Sequence, residues 1–172
     1  MRSLLSRVCV GLGVGVGLSL ATLSCDSTAS KSGASAAASA EPMGVAECAS
    51  CNMVVREQPA PRAQLVHRDG TRAHFCSIGD MLPYLASPSP HGKPEQIFVE
   101  VMSLEEEPAT PNTSAHPWAP AESASYVVGV TRPGVMGPPV LSYANPELAQ
   151  QAAKRHAGRV QSFEQLKQGA GR

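Results

Sequence analysis

The chain has 172 residues, with 14 Lys and Arg balanced by 14 Asp and Glu, so its formal net charge is zero. That balance excludes electrostatic steering toward nucleic acid or an anionic membrane surface. Aromatic residues are only 4% of the chain, so any core is modest, and the length fits one domain or two small halves sharing an interface.

Residues 1–24 read as an export signal. Arg2 and Arg7 give a basic start, and residues 8–23 are an uncharged, Gly-rich apolar run. Such a run is shorter than the roughly 20 residues a spanning helix needs. It ends in Leu20-Ala21-Thr22-Leu23-Ser24-Cys25. A small residue before a cysteine at this point resembles a bacterial lipobox, in which the Cys25 thiol is acylated and becomes the mature N-terminus. Residues 25–43 are mostly Ser, Ala and Gly and bury too little to offset their ordering entropy, so they read as a flexible tether. The expected setting is the cell envelope: lipid-anchored, facing an oxidising, periplasm-like compartment.

Residues 44–104 form a first half. A strand is predicted over 63–68, a hairpin turn at Asp69-Gly70, and a return strand over 71–76. Ser77 is placed to cap a helix over 78–86, with Asp80 in its first turn and Pro83 inside it. A third strand is predicted over 96–102. Residues 105–117 lack periodicity and read as a linker. The second half, 118–167, repeats the order: a strand over 124–130, a turn-rich segment holding Met136, a strand over 140–143, and a helix over 147–156. Asn145 caps that helix, Pro146 sits at its first position and Gly158 ends it. A short strand over 160–163 and a polar tail close the chain. The fold class expected is therefore α+β, with two similar small ββαβ halves packed together.

The chemistry concentrates in Glu47-Cys48-Ala49-Ser50-Cys51-Asn52-Met53. Thiolate and thioether are soft donors that select Cu(I) over hard cations. The prolines that follow, Pro59 and Pro61, place the motif on an extended or looped segment, and where it is extended Cys51 and Met53 would share one face. A third sulfur must come from elsewhere, and Met136, between Gly134 and Gly137 in a turn, is the best candidate. Met81 and Met102 read as core residues. Competing readings are a Cys48–Cys51 disulfide, a zinc site of Cys48, Cys51, Cys76 and His74, and a redox pair needing a helix N-terminus. The five histidines are scattered and read as surface or structural groups; His116 is the one to test as an auxiliary donor.

The sequence resembles the NosL family. The resemblance runs through Cys48-Ala-Ser-Cys51-Asn-Met53, Ala63-Gln64-Leu65, the stretch from Phe75 to Leu82, Phe98-Val99, Trp118, Tyr126-Val127-Val128-Gly129, Met136-Gly137 and His156-Ala157-Gly158. It implies a monomeric, periplasmic Cu(I) chaperone without catalytic activity. The two halves would be arranged like those of the organomercurial lyase fold. It further implies metal ligation by Cys51, Met53 and Met136, with Cys48 as an additional ligand. The implied partner is the copper-receiving nitrous-oxide reductase or its membrane assembly complex. Asn52 stands where the family usually has Gly. The alternatives are a thiol-dependent enzyme or a zinc-binding structural lipoprotein, each using Cys48, Cys51 and Cys76.

Overall fold

In a computed structural model, residues 39–110, 112–135 and 137–170 are described. The signal segment with Cys25, most of the tether, and Met136 lie outside the described residues.

The first sheet grows from a hairpin whose turn is written in its residues. β1 (Ala63–His67) and β2 (Arg72–Phe75) pair antiparallel, with Ala63 opposite Phe75 and Val66 opposite Arg72. Between them Gly70 takes a φ of +84°, a left-handed value that costs Gly nothing, and the Asp69 carboxylate accepts from Thr71 N at 2.9 Å. α1 (Ile78–Ala86) follows, capped by Ser77 Oγ accepting from Asp80 N at 3.0 Å. β3 (Pro94–Glu100) returns along the other side of β1. β1 is thus central and buried along its whole length.

β4 (Trp118–Pro120) then pairs with β3, so the first sheet takes a fourth strand from the stretch expected to open the second half; its order is β2-β1-β3-β4. β5 (Ser125–Val128) and β6 (Val140–Tyr143) form the second hairpin, α2 (Pro146–Arg155) crosses, and β7 (Arg159–Gln161) joins the far side of β5. The order β6-β5-β7 has the same sense as β2-β1-β3, and the named strands of both sheets all pair antiparallel.

β5 separates two cores because its side chains alternate between faces. Tyr126 joins the larger core with Leu65, Phe75, Ile78, Met81 and Val99, while Val127 joins a second one with Leu141, Tyr143 and the Ala149 and Ala152 face of α2. Met81 and Met102 are core residues, as expected. Met102 N also donates to Ser142 O at 2.8 Å, tying the chain after β3 to β6.

Two expectations at the C-terminal end are corrected. The polar tail is a helix, α3 (Phe163–Ala170), which buries Phe163 and Leu166 against α1 and Tyr126. Its start is a capping box: Gln165 N donates to Ser162 Oγ, and Ser162 N donates to Gln165 Oε1. The left-handed residue that ends α2 is Ala157, at φ +54°, with Gly158 N donating to Ala153 O. Gly158 is needed for space instead: a Cβ there would stand 2.5 Å from Val127 Cγ1.

The described residues of the stretch 101–117 form no helix or strand, yet they are held down. Arg62 and Glu100 form a buried pair, with Nε to Oε2 at 2.7 Å and Nη2 to Oε1 at 2.8 Å. The same guanidinium also donates to Thr113 O and Ser114 O. At the other end of the fold's entry, Met43 is buried and Glu41 pairs with Arg72 at 3.1 Å, so the last residues of the expected tether pack on the first sheet.

Candidate metal centre

The Cys48 to Met53 segment is a closed turn, not the extended strand that would align Cys51 with Met53. Asn52 N donates to Cys48 O at 2.8 Å, and Cys48 N donates to Met53 O at 2.8 Å. Asn52 closes the turn at φ +60°. Asn is among the few residues other than Gly that tolerate this region. Glu47 bridges Val54 across the turn, and Cys48 bridges His74 of β2.

That second bridge carries the turn onto the end of β2, where Cys76 precedes the Ser77 cap of α1. Cys48, Cys51 and Cys76 are all free thiols. Cys51 Sγ lies 3.6 Å from Cys76 Sγ, and Cys76 N donates to Cys48 Sγ at 3.4 Å. The three sulfurs and a carboxylate oxygen of Asp80 all fall within 4.8 Å of one another. Two segments of chain therefore build one ion-sized cluster of soft donors. Met53 is half-buried and packs against the larger core beside Cys51.

Among the groups named from sequence, the structure brings Cys48 and Cys51 together. It adds Cys76, which the residues alone place only in the zinc and thiol-enzyme alternatives, and Asp80, which they mark as a helix-start charge. The fourth group of the cluster is not His74, whose Nε2 faces Glu41 Oε1 at 3.5 Å. His116 stays out as well: its ring nitrogens contact Glu106 Oε2 at 2.7 Å and Ser114 O at 2.8 Å. The signal for Cys76 was available in its place at the junction of β2 and α1, next to the capping serine.

The electrostatics differ from thiol to thiol. Burial pushes Cys48 up, but amide hydrogen bonds from Cys76, Ser50 and Cys51 and the Cys51 thiol outweigh it, so the net direction is down. Burial pushes Cys51 up, with the Met53 amide working against it. Cys76 is pushed up strongly, first by burial and then by its contact with Cys51. Cys48 is therefore the thiol poised to ionise. Burial also raises Asp80, whose Oδ2 has no hydrogen-bond partner.

The segment that follows Met136 reaches this cluster from the second half. A Cβ on Gly137 would stand 3.4 Å from Asp80 Oδ1, and Pro138 packs on Gly79. A cleft of about 530 Å³ adjoins this contact, lined by Gly79, Leu82, Pro138 and Leu166, and none of the thiols lines it.

Fold and site together define a small α+β protein with a thiol cluster of metal-binding dimensions. The chain belongs to the NosL family, whose sequence profile matches residues 40–170. A relative from Stutzerimonas stutzeri, the copper-binding lipoprotein NosL, is 33% identical over 124 residues, which is 71% of this chain and 62% of the relative. The crystal structure of the copper chaperone NosL from Shewanella denitrificans is similar at a TM-score of 0.64 and 26% identity, covering 76% of this chain and 97% of that one. The solution structure of apo-NosL from Achromobacter cycloclastes is a more distant likeness, at a TM-score of 0.44 and 19% identity over 59% of this chain and 82% of that one.

Proposed function

We propose that this protein carries one Cu(I) ion, held by sulfur, and hands it to an acceptor protein without catalysing a reaction. The observation that carries the reading is the convergence of Cys48, Cys51 and Cys76 within one ion's reach. Soft thiols favour a monovalent, polarisable ion over hard cations. Cys48 is the natural anchor, because its neighbours stabilise the thiolate, and Cys51 and Cys76 complete the first contacts. Met53, beside Cys51, and Met136, whose chain neighbour Gly137 rests on Asp80, are the thioether donors. Cargo held partly by neutral thioethers remains open to attack by an incoming ligand, which suits transfer.

The names of the relatives support copper as the cargo and lipid attachment as the mode of anchoring. For this chain the anchor is the acylated Cys25 thiol, and the protein faces a periplasm from a membrane surface. Acyl chains hold by about 0.8 kcal/mol per buried methylene. Among the described residues no helix is long and apolar enough to cross a membrane. The acceptor we assign is nitrous-oxide reductase or its membrane assembly complex.

Three thiols and a carboxylate also match a tetrahedral zinc site, and Asp80 in the cluster is the observation that favours it. An anaerobic titration of the reduced protein separates the two readings. Copper carriage requires one Cu(I) held against a chromogenic competitor and not displaced by excess Zn²⁺. X-ray absorption then counts sulfur neighbours, and one sulfur must disappear in Met136→Ala. If Cys48→Ala and Cys51→Ala each hold Cu(I) as tightly as the parent, the site is elsewhere.

A further inference from the structure

Two of the five histidines meet at the end of α1 remote from the thiols. His67, the last residue of β1, is 1% exposed. Its Nε2 lies 3.2 Å from Tyr84 Oη, and its Nδ1 is buried without a hydrogen-bond partner. His91, in the loop between α1 and β3, sets its ring 5.4 Å from the His67 ring at 43°. The Nδ1 of His91 is 2.8 Å from Asp69 Oδ2 in the hairpin turn. A pocket of about 360 Å³ opens beside them, lined by His67, Tyr84, Ser89 and Lys93.

Each imidazole has an oxygen behind one nitrogen and the other nitrogen uncommitted. When His67 Nε2–H donates to Tyr84 Oη, the lone pair stands at Nδ1. When His91 Nδ1–H donates to Asp69, the lone pair stands at Nε2. An oxygen acceptor behind the ring is what orients a metal-binding histidine and fixes its tautomer. A buried ring nitrogen with no partner is a costly feature that calls for an explanation, and a ligand role supplies one. Neutral imidazoles suit borderline divalent ions, with copper(II) ahead of zinc in the affinity order.

We propose that His67 and His91 form a second metal site, separate from the thiol cluster, that takes a borderline divalent ion, copper(II) ahead of zinc, with Asp69 and Tyr84 positioning the two rings. The site would hold oxidised copper in imidazole while the thiols hold the reduced ion in sulfur. Lys93 on the pocket wall opposes a cation, so its removal reports the charge of the true ligand.

The test uses the full chain carrying Cys48→Ser, Cys51→Ser and Cys76→Ser, titrated with Cu²⁺ and followed by electron paramagnetic resonance. The expected result is one equivalent with nitrogen hyperfine structure. His91→Ala abolishes that signal, Asp69→Asn weakens binding about tenfold, and Lys93→Ala tightens it. His91 is exposed, so its replacement leaves the fold intact, which circular dichroism checks. Should the cysteine-free chain not fold, the parent saturated with Cu(I) is titrated with Zn²⁺, and the imidazole resonances of His67 and His91 must shift first. No stoichiometric binding, an unchanged signal in His91→Ala, weaker binding in Lys93→Ala, or imidazole shifts elsewhere overturns the proposal.

Discussion

The carbonyl oxygen of Pro138 occupies the space where a side chain on Gly79 would begin: a Cβ built on Gly79 would stand only 2.3 Å from it. That contact seats the segment after Met136 against the first turn of α1, beside Asp80 and the thiols. The Gly79→Ala substitution must push the segment away, because the opposing atom is backbone and cannot rotate aside. Overpacking of this kind costs about 1–3 kcal/mol. Chemical denaturation of the apoprotein should show that loss, and Cu(I) affinity should fall with it while all three thiols remain. Retained affinity at reduced stability would mean that the Met136 segment supplies no ligand.

The three thiols should titrate one before the others. Hydrogen bonds hold Cys48 down, whereas burial holds Cys51 and Cys76 up. Ultraviolet thiolate absorbance of the reduced apoprotein should therefore rise first by one thiolate. Cys48→Ser should abolish that first step, and Cys76→Ser should leave it in place. A first step that survives Cys48→Ser would place the thiolate elsewhere in the cluster.

How much of this was legible in the residues follows from the range of each interaction. The hairpin at Asp69-Gly70, the Ser77 cap and the Asn145-Pro146 helix start are decided within a few residues, and α1 and β6 fall where local signals place them. The capping box Ser162 to Gln165 was equally local; the polar composition after Phe163 hid it. The cluster is different. Cys51 meets Cys76 across 25 positions only because Cys48 bridges His74 at the end of β2, a pairing no local pattern announces. Likewise Gly158 reads as a helix stop, but its role is set by Val127 on β5 and Val130 just beyond that strand.

The Arg62 and Glu100 pair should be among the most sensitive positions away from the thiols. Glu100 accepts two guanidinium hydrogen bonds and one from Arg62 N, and the remaining guanidinium donors hold carbonyls of residues 56, 113 and 114. Removing one partner leaves a buried charge without its counterion, which typically costs about 3–5 kcal/mol. Glu100→Gln should lower the unfolding free energy by that order in urea denaturation. Arg62→Met with Glu100→Leu should recover part of the loss, since the double change removes both charges. Double-variant stability no better than either single change would show that the anchoring of residues 113 and 114 matters more than the charge balance.

Glu106 should contribute to the acid limb of stability through the loop it anchors. Burial pushes its carboxyl up, but the Ser103 amide, the His116 ring and the Asn112 side chain outweigh that and hold it below the ordinary Glu range. With a folded value lower than the unfolded one, the folded state binds the proton less readily. The stabilisation is therefore whole above the ordinary Glu range, near pH 4.3, and is lost as pH falls through the lower folded value. Thermal unfolding of the apoprotein measured from neutral pH downward should show this loss. Glu106→Gln, which keeps the amide and Asn112 contacts in part but carries no charge, should be less stable at neutral pH and flatter through the acid range. Parallel acid limbs in parent and variant would mean that another carboxylate governs the descent.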